Sequence, residues 1–311
     1  MIGTITFNPS IDRNIFVKNL IKDDANRALS IFSTAGGKGV NVSKVIVELG
    51  GKTHAYVPLG GLPGELFKQL IAHLHIPYSV MPVKGETRIN TILTDLKDGT
   101  QTRISAPGPV MTMKDVARFT RMLLSARPRP FLWALGGSLP QSMRPSVYRE
   151  VIFTLQKNGV PCVLDTDNEA LKLGIEARPF MIKPNEYEMH RLMGREFNNL
   201  GEIVLGARQL VKKGIKIVIV SLGAKGAIFA TEKEVFCFTT PKVPVRSKVG
   251  AGDSLIGGVV FGLSKKMSLK EAARLGIAAS TSAVMREAPR LCLRSDIPSL
   301  LPRVKIHQIS N

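Results

Sequence analysis

The sequence predicts an α/β fold, with a mostly parallel central sheet between layers of helices and a small β lid beside it. Short apolar runs rich in β-branched residues are typical of buried strands, and amphipathic stretches lie between them. This alternation is typical of a parallel sheet covered on both faces. The strands are expected at 2–7, 131–136, 161–165, 180–183 and 215–222, and the helices at 40–49, 63–74, 112–126, 144–158, 186–193 and 200–213.

The C-terminal part and two earlier segments depart from this alternation. "GAIFA" and "EVFCF" predict a hairpin, and residues 252–265 and 268–286 predict two long helices. Residues 87–106 alternate with period two and turn at Asp98 and Gly99, which is a hairpin signal. The segment 13–35 is also strand-like. We therefore expect one domain over 1–311, with a lid built from about 13–35 and 87–106.

The composition limits the class of protein. The chain has 311 residues, of which 44% are hydrophobic, so it can bury a sizeable core. Its apolar runs are shorter than the ~20 residues of a membrane helix, and its first residues lack a signal-peptide pattern. Cys162, Cys237 and Cys292 have neither a disulfide nor a zinc spacing. A protein of the reducing cytoplasm, without a membrane partner, is expected.

The charge is strongly positive, with 43 Lys and Arg against 24 Asp and Glu and a formal net charge of +19. Such a balance attracts anions, including nucleic acids and phosphorylated small molecules. The basic residues are scattered along the sequence, and only 6% of residues are aromatic, which leaves little material for stacking on bases. A solvated basic surface is therefore favoured over a nucleic-acid site.

The stretch "VRSKVGAGDSLIGG", 245–258, places glycines around Asp253 just before a predicted helix. Exposed N–H groups and the positive end of the helix dipole favour an anion there. An ionised carboxylate beside an anion site is suited to act as a general base, while the N–H groups stabilise charge on a phosphoryl group. An N-cap role for Asp253 explains the pattern about equally well.

Three other motifs point toward phosphate chemistry. "TAGGKGVNV" places glycines, Lys38 and Asn41 at the start of a helix. Asn185 and Glu188 share a face at another helix start and could hold hydrated Mg²⁺ near phosphates, although a capped helix explains them too. In "VSLGAKGAIF" a strand runs into Gly223 and Gly226, where a nucleotide could lie against the backbone, or the chain could simply turn.

In this order the motifs resemble those of the ribokinase-like carbohydrate kinases, the PfkB family. The resemblance runs the whole length, and it is greatest to the phosphofructokinase and tagatose-6-phosphate kinase branch. The stretches that carry it are "NPSID", "AGGKGVNV", "GETRIN", "GGSLP", "IKPNEYE", "VSLGAKGA", "VGAGDS" and "EAPRLC". The resemblance implies a ribokinase-like three-layer sandwich with a β lid.

The resemblance also implies a role for each matching residue. The catalytic base is Asp253, and the anion hole is Gly250, Ala251 and Gly252. The sugar-hydroxyl contacts are Asp12, Gly37 and Asn41; the phospho-sugar contacts are Lys38, Arg88, Asn90 and Ser138, with Arg27 and Arg103 as weaker candidates for the substrate phosphate. The nucleotide-phosphate and magnesium region is Lys183, Asn185 and Glu188, the last two acting on the metal through water, and the nucleotide pocket is Ser221, Gly223 and Gly226.

One position departs from the family pattern. Lys248 stands two residues before Gly250, where the family usually has Thr, Ser or Pro. A lysine at this position could contact the nucleotide phosphates or point to solvent. This departure affects what the resemblance implies about nucleotide affinity and the identity of the phosphoryl donor, but not what it implies about the fold.

The expected function is ATP-dependent, Mg²⁺-assisted phosphorylation of a ketohexose phosphate, by a homodimer joined through the lid. Two alternatives stay open: a kinase for an unphosphorylated sugar or nucleoside, and a basic non-catalytic binding protein on the same fold. Period two puts Arg88 and Asn90 on one face of their strand. With Lys38, Arg88 is expected to read the phosphate of the sugar.

Overall fold

The computed structural model describes residues 1–287 and 289–309. Ala288 of the "EAPRLC" motif, Ser310 and Asn311 lie outside the described residues. Ten strands of the described chain form a central sheet, in the order β14-β13-β12-β11-β10-β9-β8-β1-β4-β5. They are β1 (Ile2–Ile5), β4 (Thr53–Leu59), β5 (Tyr78–Pro82), β8 (Leu132–Gly136), β9 (Cys162–Asp165), β10 (Met181–Ile182), β11 (Ile217–Ser221), β12 (Ala227–Ala230), β13 (Val235–Thr239) and β14 (Lys305–Ile309).

The sheet is parallel from β5 to β11, and β11 to β14 continue it as antiparallel neighbours. The mostly parallel sheet predicted from the sequence is therefore confirmed, and the hairpin of "GAIFA" and "EVFCF" is β12 and β13. The sequence did not predict β4, β5 or β14. The last of these pairs with the distant β13, a long-range contact that leaves no local pattern.

Helices cover both faces of the central sheet. They are α1 (Lys38–Glu48), α2 (Gly61–Ala72), α3 (Met113–Leu124), α4 (Val147–Lys157), α5 (Asn168–Gly174), α6 (Glu186–Met193), α7 (Leu200–Lys212), α8 (Ala251–Ser264), α9 (Leu269–Val284) and α10 (Ile297–Leu300). All eight helices expected from the sequence are present, with ends shifted by a few residues, and α5 and α10 are additional.

Alternate residues of each strand face the two helical layers. Along β8, Trp133 and Leu135 pack with the cluster that contains α3, α4 and α7, whereas Leu132 and Ala134 pack with the cluster that contains α8 and α9. Successive side chains of a strand point to opposite faces, so one buried strand supplies both cores. This is the three-layer arrangement predicted above.

A second, four-stranded sheet stands beside the central one in the order β3-β2-β6-β7. Its strands are β2 (Ser10–Val17), β3 (Ala28–Gly36), β6 (Arg88–Asp95) and β7 (Gln101–Ile104). Large apolar side chains on this sheet are exposed, including Leu29, Ile31 and Ile104. The two segments expected to form a small sheet do so, and we call it the lid sheet. Its action as a lid stays a prediction.

None of the helices in the described part of the chain combines the length and apolarity that crossing a membrane requires.

Candidate active site

The candidate site lies along the edge of the central sheet where its parallel strands end. β8, β9 and β11 end at Gly136, Asp165 and Ser221, and Lys183 directly follows β10. Open α/β sheets bind ligands outside the carboxyl ends of their strands. The fold therefore brings together side chains from motifs that are far apart in the sequence.

Asp253 lies in the first turn of α8, which begins at Ala251 after Gly250. Gly250 has a left-handed φ of 78°, and an added Cβ would lie 2.2 Å from Leu291, so only glycine fits. Asp253 is 8% exposed, and its carboxylate accepts a 2.8 Å hydrogen bond from the side-chain amide of Asn41. The N–H groups and dipole at this end of α8 favour an anion.

Asn41 reaches Asp253 because of how α1 begins. Gly37 precedes the helix with φ of 110°, and a Cβ on it would lie 2.6 Å from Thr6. Lys38 opens the helix, and Asn41 follows three residues later, so both side chains project from one face. The second glycine cluster thus delivers an ammonium and an amide to the start of α8.

A buried carboxylate, Asp165, joins two lysines from different motifs. Its Oδ1 lies 3.3 Å from Nζ of Lys38 and 3.4 Å from Nζ of Lys183. Asp165 and Lys183 are 4% and 6% exposed. Lys183 also lies against the start of α8, since a Cβ on Gly252 would be 3.1 Å from its Nζ. Two cations are therefore held beside the backbone that was predicted to form an anion hole.

These charges set each other's protonation. Burial opposes the ionisation of Asp165, but Lys183 and Lys38 outweigh burial and hold the pKa of this carboxyl below its usual value. Burial likewise opposes the charge of Lys38, but Asp165 and Asp253 raise its pKa above the usual lysine value. The pKa of Asp253 is raised, first by burial and then by Asp165. A carboxylate with a raised pKa is the stronger proton acceptor.

Asp12 stands on the lid sheet as the centre of a second polar group. Its Oδ1 accepts hydrogen bonds of 2.8 Å from Oγ of Ser10 and 2.9 Å from Nδ2 of Asn90, which is its partner on β6. A Cβ on Gly36 would lie 2.2 Å from Oδ2 of Asp12, so this carboxylate needs a glycine beside it. The carboxylate is held in place by fixed donors, as a hydroxyl-binding group requires.

The Arg88 side chain carries a charge and also holds two backbone segments in place. Its guanidinium donates to the carbonyl oxygens of Asn8, at 2.9 Å, and Ala106, at 3.3 Å. Its Nε is buried and has no partner among the described residues. Burial lowers the pKa of Arg88, and the nearby charge of Arg103 adds to this. Arg88 and Arg103 together form a local excess of positive charge suited to an anion.

Several other predicted residues are exposed. Arg27 precedes β3, Ser138 follows β8, and Lys248 precedes α8, each with an exposed side chain. In the described part of the chain, neither Arg27 nor Lys248 forms a salt bridge. Ser138 is close to the site, because the preceding Gly137 would place a Cβ 3.8 Å from that of Lys38.

Asn185 and Glu188 form a capping box at the start of α6. The side-chain oxygen of Asn185 accepts from the N–H of Glu188, and Oε2 of Glu188 accepts from the N–H of Asn185, both at 2.8 Å. The capping alternative is thus present in the structure. It uses one oxygen of each side chain, so the second carboxylate oxygen of Glu188 stays available, and its charge is felt by Lys38.

The three residues of the predicted nucleotide pocket differ in what fixes them. Ser221 ends β11 and forms an isolated parallel bridge with Asn185. Gly223 has φ of 59° and would place a Cβ in open space. Gly226 has φ of 107°, and its Cβ would lie 1.8 Å from the carbonyl oxygen of Phe238. Gly226 is therefore required by strand packing, whereas Gly223 faces free volume.

Two charged residues of this region were not among the predicted site residues. Asp165 ends the predicted strand 161–165, and its position at a carboxyl strand end was the available signal. Lys44 lies three residues after Asn41 on α1, and its Nζ donates to Oγ1 of Thr34 at 3.1 Å. Burial lowers the pKa of Lys44 to about 8, although Asp12 and Asp253 oppose this.

Comparison with known proteins agrees with this geometry. The model of the pfkB family of carbohydrate kinases matches residues 2–296. The chain belongs to this family. The PfkB motifs that contain Lys38, Lys183 and Asp253 meet near the carboxyl ends of the parallel strands, and the roles of their residues stay predictions.

Named relatives of this PfkB chain are phosphofructokinases. It is 32% identical to the 1-phosphofructokinase of Bacillus subtilis, over 99% of this chain and 100% of the relative. It is 30% identical to the ATP-dependent 6-phosphofructokinase isozyme 2 of Escherichia coli, over 95% of this chain and 96% of the relative. A solved tetrameric inhibited form of phosphofructokinase-2 from Escherichia coli superposes with a TM-score of 0.91 at 29% identity, covering 97% of this chain and 98% of the other.

Asp165→Asn is expected to cost about 3–5 kcal/mol of unfolding free energy, because it leaves the buried Lys183 without its counter-ion and also removes the partner of Lys38, whose side chain is 33% exposed. The folded pKa of Asp165 is depressed, so its contribution is present above the unfolded pKa of about 3.9 and is lost as pH falls through the lower folded value. Urea unfolding of the parent and the variant at pH 7 and at a pH well below about 3.9 measures both effects.

The exposed Asp167→Asn, two residues away, is the matched control and should change stability by less than about 0.5 kcal/mol. A loss below about 1 kcal/mol for Asp165→Asn at pH 7 would show that the two lysines do not depend on this carboxylate.

Proposed function

We propose that the protein transfers the γ-phosphoryl group of ATP to a free primary hydroxyl of a ketohexose phosphate. The observation that carries the proposal is Asp253: a buried carboxylate with a raised pKa, in the first turn of α8, hydrogen-bonded to Asn41. Lys38 and Lys183 lie beside it, and Asp12 is presented by the lid sheet. A proton acceptor, an anion site and a sugar-binding group thus lie within one cleft.

Asp253 would act as the general base. Its carboxylate takes the proton of the attacking hydroxyl as the bond to phosphorus forms, and the ADP oxygen leaves on the opposite side. Asn41 occupies Oδ2 and so fixes the direction of the carboxylate. Asp12 and Asn90, joined at 2.9 Å, would hold neighbouring sugar hydroxyls and aim the reacting one.

The anion hole would be the backbone of Gly250, Ala251 and Gly252. Lys183 lies against Gly252 and Lys38 against Gly137, so both ammonium groups flank the place where phosphoryl charge develops. Preorganised donors of this kind stabilise the transition state without reorganisation. Ser221 and Gly223 would border the nucleotide, and the exposed Lys248 is free to reach its phosphates.

Mg²⁺ fits this site as a companion of the nucleotide phosphates. Among the described residues no three His, Cys, Asp or Glu side chains gather into a metal cage. Magnesium commonly keeps several waters and binds one or two carboxylates together with substrate phosphates. The free oxygen of Glu188, with Asn185 beside it, would hold such a hydrated ion through water. When bound, the ion neutralises charge on the transferring phosphoryl group.

A phosphorylated sugar is favoured over a free sugar by the positive charge around Arg88. Arg88 and Arg103 lie close enough for Arg103 to lower the pKa of Arg88, and an anion between them relieves that repulsion. Ser138, exposed beside Lys38, is a further candidate to bind the phosphate. Arg27 directly precedes Ala28, which pairs with Val17 at the end of β3 away from Asp12, so Arg27 does not lie beside Arg88 in one chain. The intact Asp253 and its partners speak against a protein that only binds.

We also propose a homodimer in which two lid sheets cover each other. The exposed Leu29, Ile31 and Ile104 leave an apolar face on this sheet, and a second copy is the simplest cover. Sedimentation velocity at micromolar concentration should give a dimer. A monomer with and without substrate would remove the idea.

A coupled assay of ADP release tests the function directly. Turnover is expected with at least one of fructose 1-phosphate, fructose 6-phosphate and tagatose 6-phosphate, and it should far exceed turnover with free fructose or ribose. Asp253→Asn keeps the shape and removes the proton acceptor, so it should lose about 10²–10⁴ in turnover while sugar-phosphate affinity changes little. The N-cap of α8 is Gly250, so the N-cap alternative for Asp253 is wrong. Near-normal turnover in this variant would show that Asp253 is not the base, and a preference for free fructose would exclude the phospho-sugar assignment.

Arg88→Ala tests whether Arg88 binds the phosphate of the substrate. We expect kcat/KM for the sugar phosphate to fall by the factor that corresponds to about 2–3 kcal/mol, the scale of a hydrogen bond to a charged group. The Michaelis constant for ATP should stay nearly unchanged. Arg88→Lys should recover only part, because lysine cannot bind a phosphate bidentately.

Arg88 also supports the backbone at Asn8 and Ala106, so a structural effect needs its own readout. Loss of backbone support would weaken the use of the free sugar as much as that of its phosphate. An equal loss for both sugars, or no loss for either, would mean that Arg88 does not recognise the phosphate.

A further inference from the structure

The amino ends of the parallel strands form the edge of the sheet that lies opposite the active site, and basic side chains line it. Arg129 precedes β8, Lys157 precedes β9, Arg178 precedes β10, and Lys213 and Lys216 precede β11. We call these five cations the rear row. All five are exposed. The four strands are successive neighbours in the sheet, so the row crosses three inter-strand steps, about 14 Å at ~4.8 Å per step.

A repeated tripeptide places the two arginines of the row. Arg-Pro-Phe occurs at 129–131 and again at 178–180, each time leading directly into a strand. The side chain of each arginine lies against a glycine in the segment that leads into the neighbouring strand. A Cβ on Gly159 would lie 3.2 Å from a guanidinium nitrogen of Arg129, and a Cβ on Gly214 would lie 2.9 Å from Cδ of Arg178. Two unrelated parts of the chain therefore present the same cation in the same way, two strands apart.

The rear row carries excess positive charge, although Glu232 lines the recess that contains Lys216. In the ranges 1–287 and 289–309, none of its five members forms a salt bridge. The nearby Glu176 is already paired with Arg149 at 2.6 Å. Neighbouring like charges about 5 Å apart repel by nearly 1 kcal/mol even in water, so an anion along the row would be favoured.

The surface along the row is recessed. Three cavities of about 340, 620 and 530 Å³ follow one another, and the second and third share Lys212 and Gly214. Arg129 lines the first, Arg178 the second and Lys216 the third. A linear anion would find at least two cations in each recess.

Helix ends explain only part of this charge. Lys157 lies in the last turn of α4 and Lys213 caps α7, where a cation complements the helix dipole. Arg129 and Lys216 lie outside the helices, in the segments that lead into strands, so the dipole does not account for them. Arg178 caps the short 3-10 helix that follows α5, so the dipole explains part of its position. Arg129 and Lys216 therefore carry the inference, and Arg178 adds to the charge.

We propose that the rear row binds the phosphodiester backbone of a nucleic acid duplex. The row follows one edge of the sheet, is recessed, and has more cations than the two acidic residues that line the recesses, as a surface that contacts successive phosphates should have. The one aromatic ring that lines the three cavities, Trp133, is buried, and Phe131 beside Arg129 is the exposed ring of the repeat, so a run of unpaired bases would find one stacking ring rather than a series of them. A flat anionic bilayer fits a row of recesses less well than a narrow backbone does.

The test is fluorescence anisotropy of a labelled 20-base-pair duplex, as DNA and as RNA of the same sequence, between 50 and 200 mM salt. The parent should bind one or both, and affinity should fall steeply with salt, about 0.9 log units per log unit of salt for each phosphate contacted. Arg129→Gln, Arg178→Gln and Lys216→Gln together should weaken binding at least about tenfold at 50 mM salt and lower the salt slope by about three.

Lys84→Gln, Lys97→Gln and Lys114→Gln together remove the same charge from exposed positions away from the rear edge and should weaken binding less than twofold. Both triple variants should keep the parent's melting temperature and phosphoryl-transfer activity. Equal weakening in both would mean that net charge binds, not the row. That outcome overturns the proposal, as does no binding to either duplex at 50 mM salt, or binding only to phosphatidylserine vesicles.

Discussion

The site depends on one buried carboxylate. Asp165, 4% exposed at the end of β9, is the common partner of Lys38 from α1 and Lys183 after β10. Without it, two ammonium groups would face each other and the start of α8 in a region largely shut off from water. Because opposite charges compensate there, the chain can keep a strong positive field beside Asp253 and still pack tightly.

The same constraint links the two sheets. Asn41 joins the base to α1, and one turn later Lys44 joins α1 to Thr34 of the lid sheet, opposite Asp12 on the neighbouring strand. Burial lowers the pKa of Lys44 to about 8, so its charge is lost in mildly alkaline solution. The groups proposed for the sugar and for the phosphoryl group are thus linked through a single helix.

Much of this could be predicted from the sequence, because the signals were local. Glycine clusters before helices marked the starts of α1 and α8, and apolar runs marked the central strands. Other features needed the fold. β4 contains Pro58, which weakens a strand pattern, and its place beside β1 is a long-range pairing. The backbone contacts of Arg88 and the alignment of scattered cations on the rear edge also arise only when distant segments meet.

We propose Asp253 as a buried base. Burial and then Asp165 raise the pKa of its carboxyl, and Lys38 is the first of the groups that lower it. Carbon-13 NMR titration of the aspartate carboxyls measures this in the free protein, with Asp253→Asn to assign the signal. We expect the pKa of Asp253 to lie above the ordinary 3.8 in the parent. It should rise further in Lys38→Met, because that variant lacks one of the cations that lower it. A pKa at or below 3.8, or one that does not change in Lys38→Met, would contradict it.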